Sequence, residues 1–112
     1  MNELLKKKCV PCEGGILPFD ISEIHKYQKK VDGWDVKKNE NNNYFLEKKF
    51  TFQNFINSQE FINKVGKISE EEGHHPDIFF GWGYAKISII THAIEGLSES
   101  DFILAAKIDL IN

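Results

Sequence analysis

The sequence predicts an α+β fold: a single four-stranded antiparallel sheet with three helices on one face, in the order α-β-β-α-β-β-α. Three observations carry this. Segments rich in Phe, Ile and Tyr fold back on themselves about an Asn-rich turn at Asn39–Asn43 and a turn centred on Gly83 and Tyr84, where Gly81 and Gly83 interrupt the strand formers. Stretches with helical apolar spacing stand before, between and after these two hairpins. Strands joined so closely pair antiparallel, so no parallel crossover is required.

The 112 residues suit one domain with one core. Residues 1–18, with Gly14-Gly15 and two prolines, read as a loosely structured N-terminal arm, and 19–112 as the domain. The first helix begins at Asp20, which can cap it, with Glu23 completing a capping-box pattern. Ile21, Ile24, Tyr27, Gln28 and Val31 approximate one face, and Asp32-Gly33 ends it. A short strand runs Trp34–Val36. The Asn39–Asn43 run is an exposed turn, since Asn tolerates left-handed backbone, and a second strand returns over Tyr44–Thr51 with weak alternation.

A longer helix is predicted over Phe52–Glu70, with Phe52, Phe55, Ile56, Ile62, Val65 and Ile68 as its stripe and Gly66 tolerated inside it. Glu70-Glu71-Glu72 opposes the helix dipole. The run reads as a solvated acidic end; the alternative is that it tunes the neighbouring histidines. The second hairpin spans Asp77–Thr91, with its turn centred on Gly83 and Tyr84. His92–Leu97 connects it to a last helix starting near Ser98, where Asp101 stands in the capping-box position. Phe102, Ile103, Ala105, Ala106, Ile108 and Leu110 form that helix's apolar surface.

A net charge of −3 argues against a general nucleic-acid surface. Lys6-Lys7-Lys8 reads as a solvated terminus. No apolar run approaches the roughly 20 residues of a membrane helix, and Leu4-Leu5 runs directly into lysines rather than a signal core. The expectation is a soluble, cytoplasmic protein. Cys9 and Cys12 offer two ligands where a structural zinc site needs four. They read as reduced thiols of a terminal loop, with metal or redox use as alternatives.

Four histidines occur, and three concentrate around the second hairpin: His74, His75 and His92. A turn at Gly83–Tyr84 brings His75 opposite His92. Histidine, with an ordinary pKa of about 6.5, suits proton transfer near neutrality. His-His-Pro can be a mere loop with a turn-setting proline. Metal binding is disfavoured because adjacent residues on extended chain point apart. The remaining reading is metal-free general acid–base catalysis.

At these residues the sequence resembles the pterin-4a-carbinolamine dehydratase family. The resemblance rests on Glu70-x-x-x-His74-His75-Pro76, then Trp82, His92 and Asp101. Gly96-Leu97-Ser98-Glu99, Gly33-Trp34 and the Cys9-to-Gly15 lead-in add to it. It implies the four-stranded sheet with three helices, and a homodimer or homotetramer. It implies dehydration of 4a-hydroxytetrahydrobiopterin to quinonoid dihydropterin without metal or organic cofactor. The functional link it implies is to an aromatic amino-acid hydroxylase. By resemblance His74, His75 and His92 are catalytic, and Gly73, His74, His75, Ile90, Thr91, His92 and Ala93 bind the pterin. Asp101 is either a site residue or only a helix cap. Trp34 and Trp82 read as core or interface residues, and His25 as a surface residue. Two alternatives stay open: a non-catalytic dimerisation cofactor of a transcription factor, and a related enzyme acting on another pterin, such as a molybdopterin-pathway intermediate.

Overall fold

A computed structural model describes residues 3–7, 9 and 17–111. Cys12, Pro11 and Gly14-Gly15, on which part of the arm and Cys-x-x-Cys expectations rest, lie outside the described residues. After the arm the order is α1 (Ile21–Gln28), β1 (Asp35–Lys38), β2 (Tyr44–Thr51), α2 (Phe55–Glu72), β3 (Asp77–Gly81), β4 (Tyr84–Ile89) and α3 (Glu99–Leu110). The four strands form one antiparallel sheet in the order β1-β2-β4-β3. This is the α+β architecture expected.

Alternation along the strands decides which face is covered. Leu46 and Phe50 of β2 and Ala85, Ile87 and Ile89 of β4 are buried. Leu46 pairs with Ile89 and Phe50 with Ala85 across the two central strands. Phe79 and Tyr84 lie on the other side and are exposed. Six of the α3 residues between Phe102 and Ile108 are buried, all but Lys107. A helix apolar on all sides is a central one, and α3 is the spine of the core. Asp20 caps α1 by accepting from the Glu23 amide. Tyr27 sets that helix against α3, its ring 5.0 Å from Phe19 and 5.4 Å from Phe102.

Several expectations are corrected. α1 stops at Gln28 rather than continuing to Val31, although Val31 remains buried in the turn that follows. α2 starts three residues late because Asn54 caps it, accepting from the Asn57 amide. Phe52 instead donates its amide to the Gly83 carbonyl. The α2 stripe is carried by Phe61 and Val65, with Ser58 and Ser69 also buried, while Phe55 and Ile56 are exposed. On α3, Leu104 is buried and Leu110 exposed.

The second hairpin turns one residue earlier than expected. Gly81 pairs with Tyr84, so Trp82 and Gly83 make the turn. Gly83 takes φ +80°, a left-handed value that glycine adopts without penalty. This register, continued, sets position 75 opposite Ile90 rather than His92.

The arm is not loose where it is described. Glu3–Lys6 forms a 3₁₀ turn whose Leu4 is fully buried, and Cys9 is buried too. Trp34 proves a core residue. Its indole donates to both Asp109 oxygens at 3.1 and 3.0 Å, and Lys48 reaches Asp109 at 2.8 Å from β2. Trp82 is exposed at the hairpin tip and His25 on α1.

Candidate active site

The site begins where α2 ends. Gly73 caps that helix with φ 64° and ψ 28°, its amide donating to the Glu70 and Ser69 carbonyls. A left-handed glycine is the common way to stop a helix and turn the chain aside. The turn lets the His74 amide reach the Ser69 carbonyl at 3.1 Å. The His74 ring is thereby aimed inward at α3, where its Nε2 lies 2.7 Å from Asp101 Oδ1.

Asp101 is fully buried. Its second oxygen accepts from the Thr91 hydroxyl at 2.7 Å and from the Ser98 amide at 2.8 Å. The Thr91 and Ser98 hydroxyls are themselves 3.0 Å apart. Thr91 is fixed in turn by a two-way backbone bridge to Gly96. A carboxylate has acceptors only, so the network assigns the hydrogen of His74 to Nε2 and makes Nδ1 the acceptor nitrogen of the neutral ring. Asp101 therefore caps α3 and holds His74 at once.

That carboxylate draws together two of the predicted groups, Gly73–His75 and Ile90–Ala93, because His74 and Thr91 hang on its two oxygens. His92 opens a 3₁₀ turn, His92–Ile94, and is exposed beside Ala93. It lines an open concavity of about 680 Å³ over the uncovered face of the sheet, with Ile90, Glu47, Asp77, Asn43 and Glu95. This volume falls within the roughly 300–1,000 Å³ range of small-molecule clefts. Neither His74 nor His75 lines it. His75 faces solvent, its Nε2 3.3 Å from Glu70 Oε1, with both side chains more than half exposed.

The acidic run divides. Glu70 meets His75 and Glu71 is exposed, whereas Glu72 is half-buried and takes Lys107 at 2.7 Å. Glu72 is thus not part of a solvated end.

Sequence reasoning missed Glu47, which pairs with Ser88 across β2 and β4. Burial pushes its carboxyl up, but hydrogen bonds from Lys37 and Ser88 outweigh this and hold it below the usual carboxylate range. Only the strand register reveals that Glu47 faces the concavity. It also missed Ser98 and Thr91 as partners of the Asp101 carboxylate, although the Ser98–Asp101 spacing was a signal. Among the described residues, no group of three or more His, Cys, Asp or Glu side chains is disposed to hold a metal ion.

Comparisons with known proteins cover nearly the whole chain. The family profile described as pterin 4 alpha carbinolamine dehydratase matches residues 18–111. A protein of Rubrobacter xylanophilus bearing the provisional name pterin-4-alpha-carbinolamine dehydratase is 46% identical over 97% of this chain and 98% of its own. A relative of the same provisional name from Rickettsia bellii is 47% identical over 96% of this chain and 93% of its own. Among solved structures, a transcriptional coactivator/pterin dehydratase from Brucella melitensis superposes with a TM-score of 0.75 at 24% identity, over 84% of this chain and 97% of that one. A pterin dehydratase-like protein described as a RuBisCO assembly factor in the alpha-carboxysome gives 0.60 at 26% identity, over 70% and 88%.

Proposed function

The chain belongs to the pterin-4-alpha-carbinolamine dehydratase family, and from that premise we propose that it removes water from 4a-hydroxytetrahydropterins. The observation that carries the reading is the buried Asp101 carboxylate holding His74 Nε2 at 2.7 Å. An imidazole fixed in one tautomer, with one nitrogen the donor and the other the acceptor, is what directed proton transfer requires.

In the proposed reaction an imidazolium protonates the C4a hydroxyl. The C4a–O bond breaks, water leaves, and the lone pair of a ring nitrogen forms a C=N bond to C4a. A neutral imidazole takes the proton released from that nitrogen, leaving the quinonoid dihydropterin. Any positive charge on His74 forms beside the Asp101 carboxylate, where a partly desolvated pair attracts more strongly than in water. His74 is accordingly the acid of this proposal, and His92 and His75 are the other two imidazoles. Gly73 sets the His74 turn, and Ile90, Thr91 and Ala93 frame His92. Assembly of two or four copies and service to an aromatic amino-acid hydroxylase belong to the same proposal.

The test follows freshly generated 4a-hydroxytetrahydropterin with and without the protein. Acceleration over the spontaneous reaction is expected, with His74→Ala and His92→Ala each losing about 10²–10⁴-fold, the usual contribution of one proton transfer. No acceleration by the wild-type protein defeats the reading. Acceleration undiminished in both variants defeats the assignment of residues.

A further inference from the structure

His74 lies just past the end of α2 and Asp101 in the first turn of α3, so their 2.7 Å contact depends on how the end of α2 meets the start of α3. His74 follows the last α2 residue, Glu72, by two positions. Asp101 follows Ser100 directly in the first turn of α3. One residue of the N-terminal arm touches both neighbours. The Cys9 amide donates to Glu72 Oε1 at 2.9 Å, and its thiol donates to the Ser100 carbonyl at 3.4 Å.

We infer that Cys9 is a positioning residue for the His74–Asp101 pair, stapling the end of α2 to the first turn of α3. The surroundings are built to hold it there. Leu4 anchors the arm in the core, and Lys7 pairs with Glu99 at 2.8 Å on the same first turn of α3. The other Glu72 oxygen takes Lys107 from α3 at 2.7 Å, which orients the carboxylate toward the Cys9 amide. Burial, and then the nearby Glu72 charge, push the Cys9 thiol up to about 12. The sulfur therefore stays a protonated donor at any working pH, and not a nucleophile. Hydrogen bonds weaken steeply with misalignment, so a small drift of α3 against α2 loosens the ring that the carboxylate holds.

This rests on the dehydratase reading for its kinetic consequence, but the position of the His74 ring can be read without turnover. Three variants separate the roles: Cys9→Val keeps bulk and removes the donor, Cys9→Ala removes both, and Cys9→Ser keeps a donor. All three retain the backbone amide that meets Glu72. With Val, kcat should fall about three- to tenfold, as expected for a group displaced by a fraction of an ångström, with KM within about twofold. The ¹⁵N resonances of the His74 ring should move with it. Ser should restore both toward wild type. Val and Ser equal in kcat and in ring resonances, with only the melting temperature changed, would overturn the inference, and Ala replaces Val in that comparison if Val does not fold. A wild-type protein without dehydratase activity counts against the function instead, and the ring resonances still decide the role of Cys9.

Discussion

Replacing Asp101 by asparagine separates its two duties. The side chain keeps its volume, and its amide oxygen can take the place of the oxygen that accepts from Thr91 and Ser98. Its amide nitrogen then stands where Oδ1 stood and presents hydrogens to His74 Nε2. The ring can satisfy them only by accepting, so its own hydrogen must move to Nδ1, otherwise the acceptor nitrogen of the neutral ring. In stability, a charge-assisted hydrogen bond of about 1.5–3 kcal/mol becomes a neutral one of about 0.5–1.5, a net loss near 1–2 kcal/mol. In rate, the wrong tautomer removes a proton transfer outright, about 10²–10⁴-fold. Asp101→Ala is less informative, because it orphans donors from three residues at about 1–3 kcal/mol each, which approaches the whole stability of a small domain. The assay is stopped-flow dehydration across pH 6–9, paired with thermal melts of the same samples. A variant that melts a few degrees lower yet keeps its rate and pH profile would falsify the orienting role and leave Asp101 only a helix cap.

Three further outcomes are expected. The Glu99 carboxyl is held below its usual range by the hydrogen bond from Lys7 and, against burial, by that from Tyr27. A depressed folded pKa gives stability that is present above the unfolded value near 4.3 and lost as pH falls through the folded one. The melting advantage of wild type over Glu99→Gln should therefore shrink between pH 6 and pH 3, and a constant gap contradicts the assignment. Asp109→Ala leaves the Trp34 indole and Lys48 without their shared partner. It should lower stability by about 1–3 kcal/mol in urea titrations, with kcat unchanged in the folded protein. Gly73→Ala meets no atom within 4 Å, so its expense is the left-handed backbone alone, about 1–2 kcal/mol; a loss above about 4 kcal/mol would mean packing that this geometry does not contain.

The parts of the fold visible in the sequence were those fixed by local chemistry. The β2 strand falls on Tyr44–Thr51 as read, and α3 starts behind Ser98, because a cap and a turn act within a few residues. The errors came where distant atoms decide. Asn54 and Phe52 compete for the start of α2, and the Gly83 carbonyl settles the matter by drawing the Phe52 amide into the sheet. Leu110 and Leu104 lie on the same helix, and only packing tells which is covered. At the site, the histidines stood out as rare residues near one hairpin, but the register that was to join His75 to His92 is off by the place of one glycine. What links the segments is a carboxylate from α3, and nothing in the spacing of His74 and Asp101 announces a contact across 27 positions.

Because one buried carboxylate caps the start of α3 and aims the imidazole, selection for either property drags the other along. A heat-challenge library screened with no substrate present should retain Asp at 101, and with it the His74 orientation. Relatives that have abandoned the chemistry can therefore keep this pair intact for generations as a structural relic. Loss of the solvent-facing imidazoles, His92 and His75, on which little of the fold depends, is the earlier mark of a member put to another use.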